Sequence, residues 1–179
     1  MNKIKRYELL DGLPVYGPMY ISVSDNEEPL YSEGIAVRFY KADDTDWVAN
    51  FVPGWTELTE IIELNNTPNY LVIAKGTCYI MNPEKTRPVA TFGADYTALY
   101  ATSKERYVLI GSIHLTIVKA DGSYWHTERI SRDGLKVFTV ESNIVTGEAF
   151  DPTHENDHWI PFSYDIDTKT LKGGSYHAL

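Results

Sequence analysis

The sequence predicts an all-β protein, and three observations carry this prediction. Aromatic residues make up 13% of the chain, with 13 tyrosines among them, and 12 Gly and 9 Pro favour short strands and turns over long helices. Short apolar or alternating stretches recur along the chain, and turn residues separate them. At 179 residues the chain has room for one domain with its own core, so we predict a single domain spanning residues 1–179.

A repeated pattern indicates how the strands are arranged. Tyr70–Met81 and Tyr107–Val118 start 37 residues apart and keep the same character at eight of twelve aligned positions. Each copy predicts a fully buried strand, a half-buried strand and then a turn, Asn82-Pro83-Glu84 in the first copy and Asp121-Gly122 in the second. Two interpretations stay open, a true repeat and a chance match between two short β segments.

The spacing of the two copies lies near the roughly 40 to 45 residues of a propeller blade. A complete propeller needs at least about four blades, which a chain of this length hardly supplies. We therefore predict antiparallel meander sheets, arranged as a partial propeller, a sandwich or a barrel, with at most one short helix.

The amino-terminal part predicts one strand and then a hairpin. Residues 1–34 form a loop-rich lead-in in which Met19–Val23 is the strand candidate, and residues 35–179 form the β-rich body. Gly34–Tyr40 and Trp47–Val52 predict two hairpin strands, and the connection between them carries three aspartates.

The stretch Thr56–Leu64 has the sequence character of a helix. Apolar residues recur there at helical spacing, and Thr56 is placed to cap a helix. The same residues also support a strand at Glu60–Leu64, before a turn. We favour a short helix and keep the strand as the alternative.

Further strands follow the first copy of the repeat. A connecting strand and a loose bridge over residues 93–105 precede the second copy, and residues 151–161 interrupt the pattern before a last hairpin. The predicted strands outside the two copies are Val89–Phe92, Tyr124–Ile130, Leu135–Val140, Ile144–Phe150 and the hairpin from Phe162 to Leu171.

The charge of the chain bounds its partners and location. With 25 acidic and 16 basic residues, the formal charge is -9 and the isoelectric point is near 5.0, so we expect no nucleic-acid partner. Such a charge would attract a basic partner. The alternative is that the acidic excess only keeps the protein soluble. Neither a cleavable signal nor a membrane span is evident, so we expect a cytoplasmic protein in which Cys78 behaves as a small core residue.

Acidic and aromatic residues together suggest a partner-binding surface. The connection between the two hairpin strands carries Asp43, Asp44 and Asp46, and Trp47 and Trp55 follow. At an interface, large aromatic residues supply buried anchors and carboxylates steer a basic partner. The alternative is a solvated turn between aromatic residues that face the core.

One motif suggests catalysis. His154-Glu155-Asn156-Asp157-His158 matches H-E-x-x-H, in which both imidazoles bind zinc from one face of a helix and the glutamate acts as general base. Prolines flank the motif closely and no apolar helix face precedes it, so a polar loop explains it better. The alternative function is therefore a zinc-dependent hydrolase with Glu155 as base and His154 and His158 as ligands. Without that motif we expect no cofactor and no catalytic residue.

The closing segment resembles the ending of small, uncharacterised bacterial β-rich proteins. The residues concerned are Trp159–Thr168 and Gly173–Tyr176, and the Asp165-x-Asp167-Thr168 turn is similar to an element common in propeller blades. Some bacterial proteins of this size and acidity are immunity proteins, which neutralise a toxin by binding it. The resemblance implies that role, and no contact residue follows from it.

We therefore predict a non-catalytic protein that recognises a protein partner, with an immunity-type inhibitor as its most concrete form. A carbohydrate-binding module that uses exposed Trp and Tyr platforms is a further alternative. The sequence leaves the partner's identity and the oligomeric state open.

Overall fold

The computed structural model describes residues 5–16, 19–24, 32–153 and 158–176. These residues contain no helix, and they form sixteen strands in four sheets of four strands each. The all-β prediction is therefore confirmed. The chain divides into two compact units, Met1–Asp95 and Tyr96–Leu179. Whether it acts as a single domain stays a prediction.

The first sheet of the first unit has the strand order β1-β3-β4-β2. Its strands are β1 (Tyr7–Leu9), β2 (Ile21–Val23), β3 (Ile35–Tyr40) and β4 (Asp46–Phe51). Strands β3 and β4 form the predicted antiparallel hairpin, whereas β2 pairs with β4 in parallel. The lead-in is thus more than a loop, because it supplies both edge strands.

The second sheet of this unit is a simple meander. Its strands are β5 (Glu60–Glu63), β6 (Tyr70–Ala74), β7 (Thr77–Met81) and β8 (Ala90–Phe92), and each pairs with the next in antiparallel fashion. The helix predicted at Thr56–Leu64 is wrong, and the alternative strand is present. The backbone N–H groups of Gly54 and Thr56 donate to the carbonyl oxygens of Ala74 and Lys75, which holds this segment against the β6–β7 hairpin.

Two more meanders form the second unit. The first contains β9 (Ala98–Ala101), β10 (Arg106–Ile110), β11 (Leu115–Lys119) and β12 (Tyr124–His126). The second contains β13 (Leu135–Glu141), β14 (Ile144–Asp151), β15 (His158–Asp165) and β16 (Thr170–Gly173). Strand β9 lies inside the predicted bridge, and β12 ends earlier than predicted.

Strand β15 begins inside the stretch that was expected to interrupt the sheet. Pro161 has no backbone N–H to donate, so the sequence favours a break there. The structure accommodates Pro161 because β16 ends at Gly173, which pairs with Phe162, so no residue of β16 needs a hydrogen bond from Pro161. The Pro161 carbonyl accepts the N–H of Gly174, just beyond β16, at 3.0 Å.

Each unit has a hydrophobic core between its two sheets. In the first unit Phe51 packs against Tyr79 with ring centroids 4.9 Å apart, and Phe39 lies 6.3 Å from Tyr70. In the second unit the inward residues of β10 and β11 pack with those of β14 and β15, which include Phe162. Both cores follow from the alternation of side chains along antiparallel strands.

The two copies of the repeated pattern form equivalent hairpins at the centres of their sheets. Tyr70 pairs with Met81 in β6–β7, and Tyr107 pairs with Val118 at the matching position of β10–β11. The prediction of a half-buried second strand is wrong, because every residue of β7 is buried, as are residues 115–118 of β11. No helix in the described ranges has the length and apolarity needed to cross a membrane.

Candidate functional site

The acidic connection between β3 and β4 forms a well-defined hairpin tip, which comprises residues 41–46. The backbone N–H of Lys41 donates to the carbonyl of Thr45 at 2.8 Å and closes the turn. Asp44 has a φ of 64°, a left-handed conformation that aspartate tolerates better than most residues. The hairpin tip therefore has a defined shape, with the side chains of Asp43 and Asp44 exposed.

The carboxylate of Asp43 is oriented by its own turn. Its Oδ1 accepts hydrogen bonds from the backbone N–H of Thr45 at 3.1 Å and from the Thr45 hydroxyl at 2.6 Å. These hydrogen bonds stabilise the ionised form and lower the pKa of Asp43. The hairpin tip consequently keeps this negative charge in a fixed position.

A contact distant in sequence fixes the hairpin tip to the rest of its unit. Glu84 lies in the turn after β7 and accepts a hydrogen bond from the backbone N–H of Ala42 at 3.0 Å. Arg6 forms an ion pair with Glu84, and its Nε donates to the carbonyl of Tyr40 at 2.9 Å. The Arg6 guanidinium therefore joins three segments of the first unit, and it lowers the pKa of Glu84.

An open groove of about 560 Å³ lies beside the hairpin tip. Its lining combines one aromatic ring and four charged side chains with a methyl group, contributed by Lys5, Arg6, Tyr40, Lys41, Ala42 and Asp44. The hydroxyl of Tyr40 donates to Glu8 at 2.9 Å, and this hydrogen bond is the main cause of a raised pKa at Tyr40. The site thus combines an acidic tip with a groove that presents cations and an aromatic ring.

The structure does not bring the two predicted tryptophans to this surface. Trp47 is 6% exposed, donates its indole N–H to the carbonyl of Pro83 at 2.8 Å and packs against Phe39. Trp55 is 85% exposed, but the whole of β4 separates it from the hairpin tip, which is about 20 Å for a six-residue strand. Trp47 is thus a core residue, as the alternative interpretation had it, and Trp55 lies elsewhere.

Asp46 remains at the hairpin tip, at the start of β4. Its carboxylate lies 3.9 Å from Nε of Arg38 on the neighbouring strand. At that distance and exposure the ion pair is weak, so the Asp46 charge still contributes to the field around the hairpin tip. The three predicted aspartates therefore lie close together, whereas neither predicted tryptophan belongs to this surface.

The H-E-x-x-H motif falls mostly outside the described residues, which exclude His154, Glu155, Asn156 and Asp157. His158 is described, and it lies exposed at the first position of β15. In the zinc-protease arrangement this histidine belongs to a helix, so the described part of the motif has a different backbone. In the described ranges no three His, Cys, Asp or Glu side chains group as metal ligands. The zinc hydrolase stays a prediction.

A second polar cluster lies in the second unit. The Tyr96 hydroxyl is 2.6 Å from the Thr116 hydroxyl, which is 2.7 Å from Nδ1 of His126. The rings of His114 and His126 meet edge to face, with centroids 5.2 Å apart. Tyr96 and Thr116 are fully buried, so this chain of hydrogen bonds connects the interior to an exposed imidazole.

Sequence reasoning missed the basic half of the site around the hairpin tip. Lys5, Arg6 and Lys41 carry no motif, and the Arg6–Glu84 pair joins residues 78 positions apart. The adjacent Lys5-Arg6 pair was the available signal, but nothing local indicates that β1 lies beside the hairpin tip. No protein-family model matches the chain, and no curated protein sequence is significantly similar to it.

Proposed function

We propose that this protein recognises a protein partner without catalysis, and that the hairpin tip and its groove are the contact. The observation that carries the proposal is the preorganised acidic turn, in which Asp43 is oriented by Thr45 and the backbone is anchored to Glu84. A loop already held in one conformation loses little entropy on binding, which favours affinity. The proposed location is the cytoplasm, and nucleic acid and membranes are not proposed as partners.

The charges favour a partner with a basic contact surface. The net charge of -9 and the three aspartates at the hairpin tip attract a basic protein over distance. Close to the surface, the groove receives one side chain of the partner, which packs on the Tyr40 ring and pairs with Lys5 or Lys41. The partner therefore presents mainly Lys or Arg, with one aromatic or acidic side chain among them.

The most concrete form of the proposal is an immunity-type inhibitor that neutralises a toxin by binding it. Its support is the resemblance of the closing segment, together with the acidic character of the chain. In the structure that segment covers most of β15 and the turn that follows it, where Asp165 Oδ1 accepts hydrogen bonds from the backbone N–H groups of Asp167 and Thr168 at 2.9 and 3.2 Å.

The test is charge reversal at Asp43 with a matched control in the second unit. Asp121 accepts the same two hydrogen bonds from Ser123, at 2.9 and 2.6 Å, so Asp121→Lys makes the same change of charge and the same loss of turn contacts. The partner is first captured from the native host on the immobilised protein, and its Kd is then measured by calorimetry at two salt concentrations.

We expect Asp43→Lys to weaken binding about tenfold or more, and Asp121→Lys to change the Kd by less than about twofold. Binding to the unaltered protein should also weaken as salt screens the charges. Equal effects of the two variants would remove the hairpin tip from the interface.

A further inference from the structure

Strand β13 is an edge strand with an unusual surface. It spans seven residues and pairs with β14, and no other strand of the described residues pairs with it. Phe138 occupies a bulge in the middle of β13, between the register positions of Val137 and Thr139, and is 61% exposed. A long edge with an exposed aromatic residue is a template for pairing with another strand.

The bulge sets which side chains of β13 face the core. Leu135, Val137 and Val140 pack against the core of the second unit, whereas Lys136 and Glu141 are exposed. Without the extra residue, Val137 and Val140 would lie on opposite faces of the strand. The bulge therefore gives both halves of β13 an apolar residue on the core face. It also gives each half a charged residue on the exposed face, positive in the first half and negative in the second.

We propose that β13 pairs in antiparallel fashion with β13 of a second copy of this chain. A twofold axis between Phe138 and Thr139 sets Lys136 opposite Glu141 of the other copy, and Val137 opposite Val140. In each of these pairs both side chains face the same side of the sheet, as direct antiparallel partners must. The pairing joins two four-stranded sheets into one of eight strands.

Charge complementarity favours a second copy over an unrelated strand. The pairing forms the Lys136–Glu141 contact twice, because a twofold interface repeats every contact. In the single chain the Lys136 Nζ lies 3.6 Å from the centre of the Trp159 ring on β15, so this side chain leaves that ring when it pairs with Glu141 of the other copy. A parallel pairing in register would place Lys136 opposite Lys136 of the other copy, so the charges also favour the antiparallel orientation.

The test measures self-association of the full chain by sedimentation equilibrium over a wide concentration range. We expect reversible dimerisation. Lys136→Glu and Glu141→Lys should each weaken it about tenfold, because each places like charges opposite one another twice. The double variant restores opposite charges in reversed order and should return to within about threefold of the original.

Two comparisons keep the test decisive. Lys172→Glu makes the same charge change on β16, at the other edge of the sheet, and should leave dimerisation unchanged. The double variant also lacks the Lys136–Trp159 contact, so its recovery reports the charge pair rather than that contact. A chain that stays monomeric at all concentrations, or a double variant as weak as the single variants, overturns the proposal.

Discussion

At the scale of single residues, one local pattern positions three carboxylates in the same way. Asp43, Asp121 and Asp151 each accept hydrogen bonds from the backbone N–H and the hydroxyl of a Ser or Thr two residues later. Such turns depend on neighbouring residues alone, so the sequence is sufficient to predict them. The ion pair between Arg6 and Glu84 has no local signal, and only the fold brings it together.

The imidazole of His126 makes stability depend on pH. Although His126 is exposed as a residue, its Nδ1 faces the buried hydroxyl of Thr116, and the desolvation lowers its pKa. The unfolded chain therefore takes up this proton first as the pH falls. The contribution is fully present above the ordinary pKa of about 6.5 and is lost as the pH falls towards the folded-state value.

We expect His126→Gln to reduce the loss of unfolding free energy between about pH 6.5 and pH 5. Urea denaturation at several pH values measures this slope, and imidazole NMR titration gives the folded-state pKa directly. His158→Gln, at the exposed start of β15, is the matched control. A folded-state pKa for His126 at or above its ordinary value would contradict the prediction.

At the scale of strands, a close backbone approach makes Gly147 necessary in β14. A Cβ atom at this position would lie 2.0 Å from the carbonyl oxygen of Lys136 and 2.9 Å from a ring carbon of Phe162. The strands of this sheet must therefore shift to accept any side chain. The sequence pattern for β14 indicates a strand but gives no sign of this contact, because the neighbours belong to other strands.

Gly147→Ala should lower the unfolding free energy by about 1 to 3 kcal/mol, the usual cost of overpacking. Denaturant unfolding measures the difference. Gly12→Ala serves as the control, because a Cβ at that position meets the flexible carboxylate of Glu33 at 3.2 Å. A change at Gly147 below about 0.5 kcal/mol, comparable to an ordinary surface substitution, would show that the sheet relaxes around the methyl group.

The strands that could be predicted are those with a strong local pattern. The hairpin β3–β4 and the central hairpins β6–β7 and β10–β11 are apolar runs bounded by turns, and the sequence indicates all three. Strands β1 and β9 are short and lie at sheet edges. Few of their residues are buried there, so their sequences carry no strong apolar pattern. The helix prediction failed because hydrogen bonds from Gly54 and Thr56 to the β6–β7 hairpin outweigh a weak periodicity.

At the scale of the whole molecule, composition was enough for the fold class but not for the assignment of residues to a site. The Tyr, Gly and Pro content predicts many short strands, which the sixteen strands among the described residues confirm. The proposed acidic and aromatic surface combined residues that are near in sequence, and a single strand then separated Trp55 from the hairpin tip. Where a strand runs straight through a site, closeness in sequence misleads.

The connectivity of the four sheets also has a kinetic consequence. Three sheets join strands that are neighbours in the chain, whereas the first sheet pairs Tyr7 with Phe39 and Ile21 with Ala49, about 30 residues apart. Closing those loops costs entropy before any contact forms.

We expect the amides of β1 and β2 to gain protection last in pulse-labelled hydrogen exchange during refolding, and those of β6 and β7 to gain it early. Since Arg6, the residue just before β1, anchors the hairpin tip, the proposed recognition surface would then be the last part of the first unit to form.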